Sequence, residues 1–370
     1  MLKILILADI PAPYRKKVFQ GLSKVYDTDV FFNTCKSEHR NPKWFTSSDN
    51  DLSFDVINTK EAKAKYYACI KRIQDYDLVI SYSPWENRSR ALQRLCIRKK
   101  VPYIINADGA LGISTNFLKM QIKSFYTKRA ALCFAGCERA VEYFKTYGAK
   151  SNNIVKHPFT SLDRNQLLTK PLTPEQKSQK KESLQIDQKI MFIAVGQFIH
   201  RKAFDLLLEA WEKTSQAAQL YIIGGGPLES QYLQTIETKN LKNVHLIGYM
   251  TSDQLLEYYL AADAFIMSTR EDIWGLVVNE AMAAALPVIS SDRCTAGNEL
   301  VKHGVNGFIY PCEDTELLAK YIETLQDDPQ LLQKFSENSL LQIADYVLEN
   351  IVDSHVKSIN EYMNKRGRKG

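Results

Sequence analysis

Two adjacent cations, Arg201 and Lys202, stand in the segment Gly196-Gln-Phe-Ile-His-Arg-Lys-Ala-Phe-Asp205, between an apolar strand pattern and a helical one. A glycine at a strand end, followed by two cations ahead of a helix N-terminus, suits a diphosphate. Backbone N–H groups and positive side chains then converge on one place. The same doublet also fits a solvated helix start, and spacing alone does not choose between them. A second segment, EDIWGLVVNEAMAAALPVIS, holds three carboxylates, Glu271, Asp272 and Glu280. Gly275 and Leu276 open a helix there, so Glu280 lies about one turn inside it and can face the same way as the helix start. Asp272 can accept hydrogen bonds from sugar hydroxyls, and Glu280 from a ribose. The bland alternative is a helix cap at Asp272 and a surface Glu280. An unpaired Glu280 in that small, apolar run is costly, however.

Further loops follow strand patterns. Ile222-Ile-Gly224-Gly225-Gly226-Pro227 is a strand leading into a tight turn and a helix opened by Pro227; no Lys-Ser/Thr follows, so it is not a P-loop. Asp9-Ile-Pro-Ala-Pro-Tyr-Arg15 is a rigid turn ending near Arg15. Asp108-Gly109 follows a strand and so can reach the cleft, but on position alone a plain turn is the favoured reading. The Asp27-Thr-Asp29 and Asp75-Tyr-Asp77 pairs precede strands, at their amino ends, and read as strand-entry turns rather than metal ligands. The seven cysteines (Cys35, Cys69, Cys96, Cys133, Cys137, Cys294, Cys312) contain no C-x-x-C pair, so neither a zinc site nor a disulfide framework is expected.

These loops need a scaffold. Across 370 residues, short apolar runs alternate with longer amphipathic stretches, once before about residue 158 and again from Ile190. Expected strands are Lys3–Ala8, Thr28–Phe32, Leu78–Tyr82, Tyr103–Asn106, Leu132–Ala135 and Ile154–Lys156. The second series is Ile190–Val195, Gln219–Ile223, Val244–Ile247, Ala264–Met267, Pro287–Ser290 and Gly307–Tyr310. The pattern predicts an α/β chain of two Rossmann-like, doubly wound parallel-sheet domains facing a central cleft, where ligands bind at the carboxyl ends of strands. Residues 158–188 read as a linker and a surface helix. The expected domains are 1–165, 166–340 and a helical 341–370 with a basic tail.

Charge divides the chain. Residues 1–170 hold 29 Lys and Arg against 15 Asp and Glu, a balance of +14, and residues 171–370 hold 19 against 27, a balance of −8. The basic half favours an anionic surface. Phe117-Leu-Lys-Met-Gln-Ile122-Lys-Ser-Phe125-Tyr126-Thr-Lys-Arg129 fits a basic amphipathic helix at a membrane interface and equally a core-packed helix with a wet face. No apolar run reaches the ~18 to 20 residues of a spanning helix. MLKILILADI reads as a first strand rather than a secretory signal. No nucleic-acid motif is present.

Together, VGQFIHRKAFDLLLEAW, IIGGGPLE, EDIWGLVVNEAMAAALPVIS and ELVKHGVNGFIYP resemble the retaining glycosyltransferases of family 4 over essentially the whole chain, most strongly over 190–315. The resemblance implies the GT-B fold, with the last helix crossing back to the first domain. It implies a hexosyltransferase-type enzyme (EC 2.4), retaining and metal-independent, with no cofactor beyond a nucleotide-sugar donor, most simply a UDP-sugar. Arg201 and Lys202 would grip the diphosphate and Glu280 the ribose. Asp272 or Glu271 would hold the donor sugar, with Gly196 and the N–H groups of Trp274, Gly275 and Leu276 around sugar and phosphate. The leaving phosphate would deprotonate the acceptor, so no protein nucleophile is needed.

Three departures from the family pattern stand out. Asp272 replaces the first Glu, Ala203 and Ala285 replace glycines, and no His lies near Asn106–Asp108, leaving Asp108 as the candidate for the acceptor hydroxyl. The first half, with HPFTSL at 157–162, resembles bacterial capsule and exopolysaccharide enzymes. That implies a polyprenyl-diphosphate-linked saccharide acceptor and a cytoplasmic protein, peripheral on the anionic inner face of the plasma membrane, with no nucleic-acid partner. A GT-B sugar-nucleotide 2-epimerase and a non-catalytic scaffold subunit are the alternative functions.

Overall fold

The computed structural model describes residues 1–34, 54–109 and 112–367. Two units emerge: Met1–Ser161 together with the chain from Tyr346, and Leu162–Asp345. The first holds β1 (Lys3–Ala8), α1 (Pro13–Ser23), β2 (Asp27–Phe32), β3 (Asp55–Val56), α2 (Lys60–Lys71), β4 (Leu78–Ser81), α3 (Asn87–Lys99), β5 (Tyr103–Ala107), α4 (Phe117–Thr127), β6 (Leu132–Ala135), α5 (Glu138–Thr146) and β7 (Ile154–Lys156). Its strands pair in the order β3-β2-β1-β4-β5-β6-β7, all parallel. Helices cover both faces of such a sheet, which is why Leu78–Ser81 and Leu132–Ala135 are buried at every position instead of alternating.

The second unit begins with α6 (Pro174–Ser183) and β8 (Met191–Gln197). There follow α7 (Phe204–Glu212), β9 (Gln219–Gly225), α8 (Glu229–Thr238), β10 (Val244–Ile247), α9 (Ser252–Ala261), β11 (Ala264–Met267), α10 (Leu276–Ala283), β12 (Val288–Ser291), α11 (Thr295–Leu300), β13 (Gly307–Tyr310), α12 (Thr315–Asp327) and α13 (Pro329–Ile343). The strand order is β10-β9-β8-β11-β12-β13, again all parallel. The core packs Phe192, Leu220 and Ile222 against Leu207, Trp211 and Ile322.

The final helix, α14 (Leu348–Gly367), returns to the first unit. There the Tyr26 hydroxyl donates to Asn360 Oδ1 at 2.9 Å, and His355 stacks on Phe134 with ring centroids 4.1 Å apart. Near the other crossing, Phe159 packs edge-on against Tyr14 of the first unit, while the Leu168 N–H donates to Ala283 O of the second. The units thus change at 161/162 and 345/346, a few residues from the expected 165/166 and 340/341. Ser339 Oγ still reaches Asn306 O, and Ile343 is buried within the second unit, so α13 ends there.

Local departures from the sequence expectation have local causes. β3 is two residues long, too short to leave a pattern. α2 begins six residues before the expected Tyr66 because Thr59 caps it, accepting from the Ala62 N–H at 3.1 Å. α8 begins at Glu229, so Pro227 lies in the preceding turn and does not open the helix. The expected linker helix is pinned rather than merely laid on the surface. Lys177 and Lys181 of α6 both reach Asp263, at 3.2 and 2.7 Å, and Asp263 also accepts from the Met191 N–H at 2.9 Å.

Candidate active site

In a doubly wound sheet the crevice opens where strand order reverses, because the loops leaving the two central strands depart to opposite faces. In the second unit that place lies between β8 and β11. The loop leaving β8 carries Arg201 and Lys202 in one turn of 3₁₀ helix, His200–Lys202. The loop leaving β11 carries Glu271, Asp272, Trp274 and Gly275, and leads into α10 with Leu276 and Glu280. Topology thus unites two segments that are 70 residues apart.

The two loops are clamped through backbone. The Arg270 N–H donates to Arg201 O at 2.8 Å, Thr269 Oγ1 donates to the same oxygen at 2.8 Å, and Ser268 Oγ donates to Lys202 O at 3.0 Å. Arg270 is itself fixed by a two-pronged pair with Asp205, at 2.8 and 2.6 Å. On this frame Lys202 Nζ donates to Asp272 Oδ2 at 2.6 Å. Arg201 Nη1 lies 3.6 Å from that oxygen and donates to Glu271 O at 2.7 Å. Asp272 Oδ1 accepts from the Trp274 N–H at 3.3 Å, an Asx-type turn, so Asp272 is not a helix cap; Gly275 is the N-cap of α10. The carboxyl of Glu271 makes no ion pair among the described residues.

Gly275 has φ +102°, and a Cβ there would stand 2.8 Å from Cys294 Sγ, so only glycine lets the loop turn into α10 this close to β12. Gly224 has the same meaning next door: its φ is +155°, and a Cβ would collide with Gly196 O. Gly196 lies at the end of β8 under the Lys202 stem, 3.3 Å from where its own Cβ would be. The Trp274 ring is buried, its Nε1 donating to Asn279 Oδ1 at 2.8 Å.

Glu280 keeps part of its surface exposed while its carboxyl is packed among protein atoms. Burial pushes its pKa up to about 7, opposed by the hydroxyl of Tyr259, which donates to Oε2 at 3.4 Å. Tyr259 lies on α9, 21 residues upstream, and nothing in the local sequence marks it. The Asp205–Arg270 clamp likewise leaves no local signal.

In the first unit Asp108 follows β5 and is held on both oxygens by Arg15, with one oxygen also accepting from Asn106 Nδ2 at 2.5 Å. The Arg15 guanidinium lies over the Tyr82 ring, 4.4 Å from its centroid. His157, at the end of β7, brings Nε2 to 3.3 Å from Asn106 Oδ1 and Nδ1 to 3.0 Å from Pro158 O; a neutral ring donates to one of the two. Burial lowers its pKa, which keeps it neutral. His157 thus contacts segment 106–108, through Asn106, from 51 residues further along the chain. Asp108 is a fixed acceptor in an ion pair.

The Asp-x-Asp pairs lie at amino ends. Lys3 Nζ is 4.0 Å from both Asp27 and Asp29, Asp29 accepts from the Tyr76 hydroxyl at 2.6 Å, and Asp77 accepts from the Lys3 N–H at 2.8 Å. Helix α4 differs from expectation in two side chains. Tyr126 is buried rather than sharing the exposed apolar face, and Lys123 turns inward, 5.1 to 5.4 Å from the ring centroids of Trp85, Tyr143 and Tyr147. Phe117, Leu118, Ile122 and Phe125 remain exposed, Leu118 at 70%. No helix among the described residues is long and apolar enough to cross a membrane.

The switch point of the second sheet thus brings two cations against Asp272, in the loop that leads into the helix of Glu280. Residues 175–341 match the model of the glycosyl transferases group 1 family. The fold is GT-B: the structure superposes on Anabaena HepE in complex with UDP with a TM-score of 0.79 at 15% identity, covering 97% of this chain and 100% of that one. The O-antigen chain mannosyltransferase C of Escherichia coli is 25% identical over 168 residues, 45% of either chain. The amylovoran biosynthesis glycosyltransferase AmsD of Erwinia amylovora is 28% identical over 173 residues, 46% of this chain and 47% of that one. The chain spans about half the length of the curated relatives it matches.

Proposed function

We propose that this protein is a retaining glycosyltransferase. It moves a sugar from a UDP-sugar to a lipid-linked saccharide, of the polyprenyl-diphosphate type, during assembly of a bacterial surface polysaccharide such as capsule. The observation that carries this reading is the convergence of Arg201 and Lys202 with Asp272, in the loop leading into the helix of Glu280, at the switch point of the second sheet. The structural similarity to HepE, which binds UDP, and the sequence similarity to O-antigen and amylovoran glycosyltransferases support the nucleotide and the product class.

In the reaction the bond from the sugar's anomeric carbon to the diphosphate oxygen breaks, and a bond to the acceptor oxygen forms on the same face. The acceptor proton passes to the leaving phosphate. Arg201 and Lys202 stabilise the charge that gathers on the departing diphosphate, a role a metal ion plays elsewhere. Asp272 orients sugar hydroxyls, Glu280 binds the ribose, and the N–H groups at the start of α10 face the phosphate. Asp108, fixed by Arg15 and Asn106, accepts from the incoming hydroxyl without itself removing the proton. The basic first unit and the exposed apolar face of α4 support a peripheral position on an anionic membrane, where the lipid-linked acceptor resides.

Thermal-shift titration with UDP-, GDP-, ADP- and dTDP-sugars tests the reading. UDP-sugars raise the midpoint by mass action, and Lys202→Ala abolishes the rise. Transfer to a short polyprenyl-diphosphate-linked monosaccharide falls on the order of 10²- to 10³-fold in that variant, the usual cost of one transition-state donor. The rate is insensitive to EDTA. A variant that binds and turns over like the wild type would remove Lys202 from the site.

A further inference from the structure

We propose that Asp272 makes this site prefer a nucleotide sugar over the nucleoside diphosphate alone; the proposal rests on the donor-site reading above. The Asp272 carboxylate pairs with the same two cations that a diphosphate would use. Lys202 Nζ is 2.6 Å from Oδ2 and Arg201 Nη1 is 3.6 Å from it, while among the described residues Oδ1 has only the long 3.3 Å contact from the Trp274 N–H. The side chains of Asp272 and Lys202 are 14% and 11% exposed, so water compensates little for a lost partner.

An arriving diphosphate competes with Asp272 for the same two cations. If the ligand is UDP, the carboxylate loses its ion pair and faces a second anion in a poorly solvated place, which is unfavourable. If the ligand carries a sugar, its hydroxyls donate to the released oxygen, and the carboxylate exchanges a cation for neutral donors. The cost of displacing Asp272 therefore falls on the product and on free nucleotide, and much less on the donor. The sequence neighbour Glu271 offers an internal comparison. It has the same charge one residue away, but its carboxyl pairs with no cation among the described residues and its surface is exposed.

The test uses the full chain and calorimetric titration with UDP, inorganic pyrophosphate, and the tightest binder among UDP-glucose, UDP-galactose and UDP-N-acetylglucosamine. Asp272→Asn tightens UDP and pyrophosphate about tenfold, the size of one charge-assisted contact, and leaves the nucleotide sugar unchanged or weaker. The same substitution lowers transfer, so binding of product and turnover move in opposite directions, which a merely structural defect does not produce. Asp272→Ser serves as the second variant, and the ligand-free melting temperature reports folding of both. Glu271→Gln changes UDP affinity by less than about twofold. Unchanged or weaker UDP binding in folded Asp272→Asn would overturn the proposal. So would equal tightening of the nucleotide sugar, or a Glu271→Gln effect of the same size. A wild type that binds no UDP, or binds it equally well as Lys202→Ala, would overturn the donor-site reading and the proposal with it.

Discussion

At the scale of single residues, Glu280 is the group whose chemistry depends most on its surroundings. A carboxyl raised to about 7 by burial holds its proton more tightly in the folded protein than in the unfolded chain. Its contribution to stability is therefore full at acid pH, below the unfolded value, and is lost as pH rises through about 7. Glu280→Gln removes this dependence. Relative to wild type, the variant gains on the order of 2 kcal/mol of unfolding free energy between pH 5 and pH 8, less than the full shift allows because the residue is partly solvated. Binding runs the other way. A ribose donates to the ionised form, so wild-type affinity for UDP rises from pH 6 to pH 8 by more than that of Glu280→Gln, whose own pH profile reports the titration of the ligand. Parallel profiles for the two proteins would separate Glu280 from the ribose.

Elements position these residues, and one connection does so under strain. Ala203, between the 3₁₀ turn of Arg201 and Lys202 and the start of α7, has φ +55° and ψ +35°. Ala285, after α10, has φ +62°. Both stand where the resembling family carries glycine, and the left-handed backbone is the reason for that glycine. An alanine there costs about 1 to 2 kcal/mol. The Ala203 methyl is fully buried beside Leu206 and Cys312, which returns about 0.8 kcal/mol, and alanine also spares the unfolded-chain entropy of a glycine. The terms nearly cancel, so Ala203→Gly changes stability by less than about 1 kcal/mol. Ala203→Val, whose branched side chain fits neither the backbone nor the space, costs more than about 2 kcal/mol. Urea denaturation of the two variants checks both signs, and equal effects would mean that backbone strain does not govern this turn.

For the whole molecule, the uneven charge leads to a testable surface. The chain is +14 over residues 1–170, and α4 presents Phe117, Leu118, Ile122 and Phe125 to solvent while Lys123 anchors it among three rings. The protein co-sediments with phosphatidylglycerol vesicles and not with phosphatidylcholine vesicles. Raising the salt weakens the association, since each basic residue near the surface contributes about 1 kcal/mol. The double substitution Phe117→Ser with Leu118→Ser reduces binding at least tenfold without changing nucleotide affinity. Equal binding to both lipids, or none to either, would remove the membrane from the proposed function.

The sequence by itself determined the strand succession and the segments that leave the two strands of the switch point. Apolar runs buried on both faces must read as uninterrupted hydrophobic stretches, so β1, β6, β11 and β13 were legible to the residue. Cations after one strand and carboxylates after another marked the loops that carry Arg201, Lys202 and Asp272 and the helix that carries Glu280. What the tertiary structure decided is every relation that needs distant segments. Lys202 meets Asp272 across 70 residues, Tyr259 reaches Glu280 from another helix, and His157 supports Asn106 beneath Asp108. Periodicity records which face of an element is buried, but the partner on that face is set by strand order, which no local pattern contains.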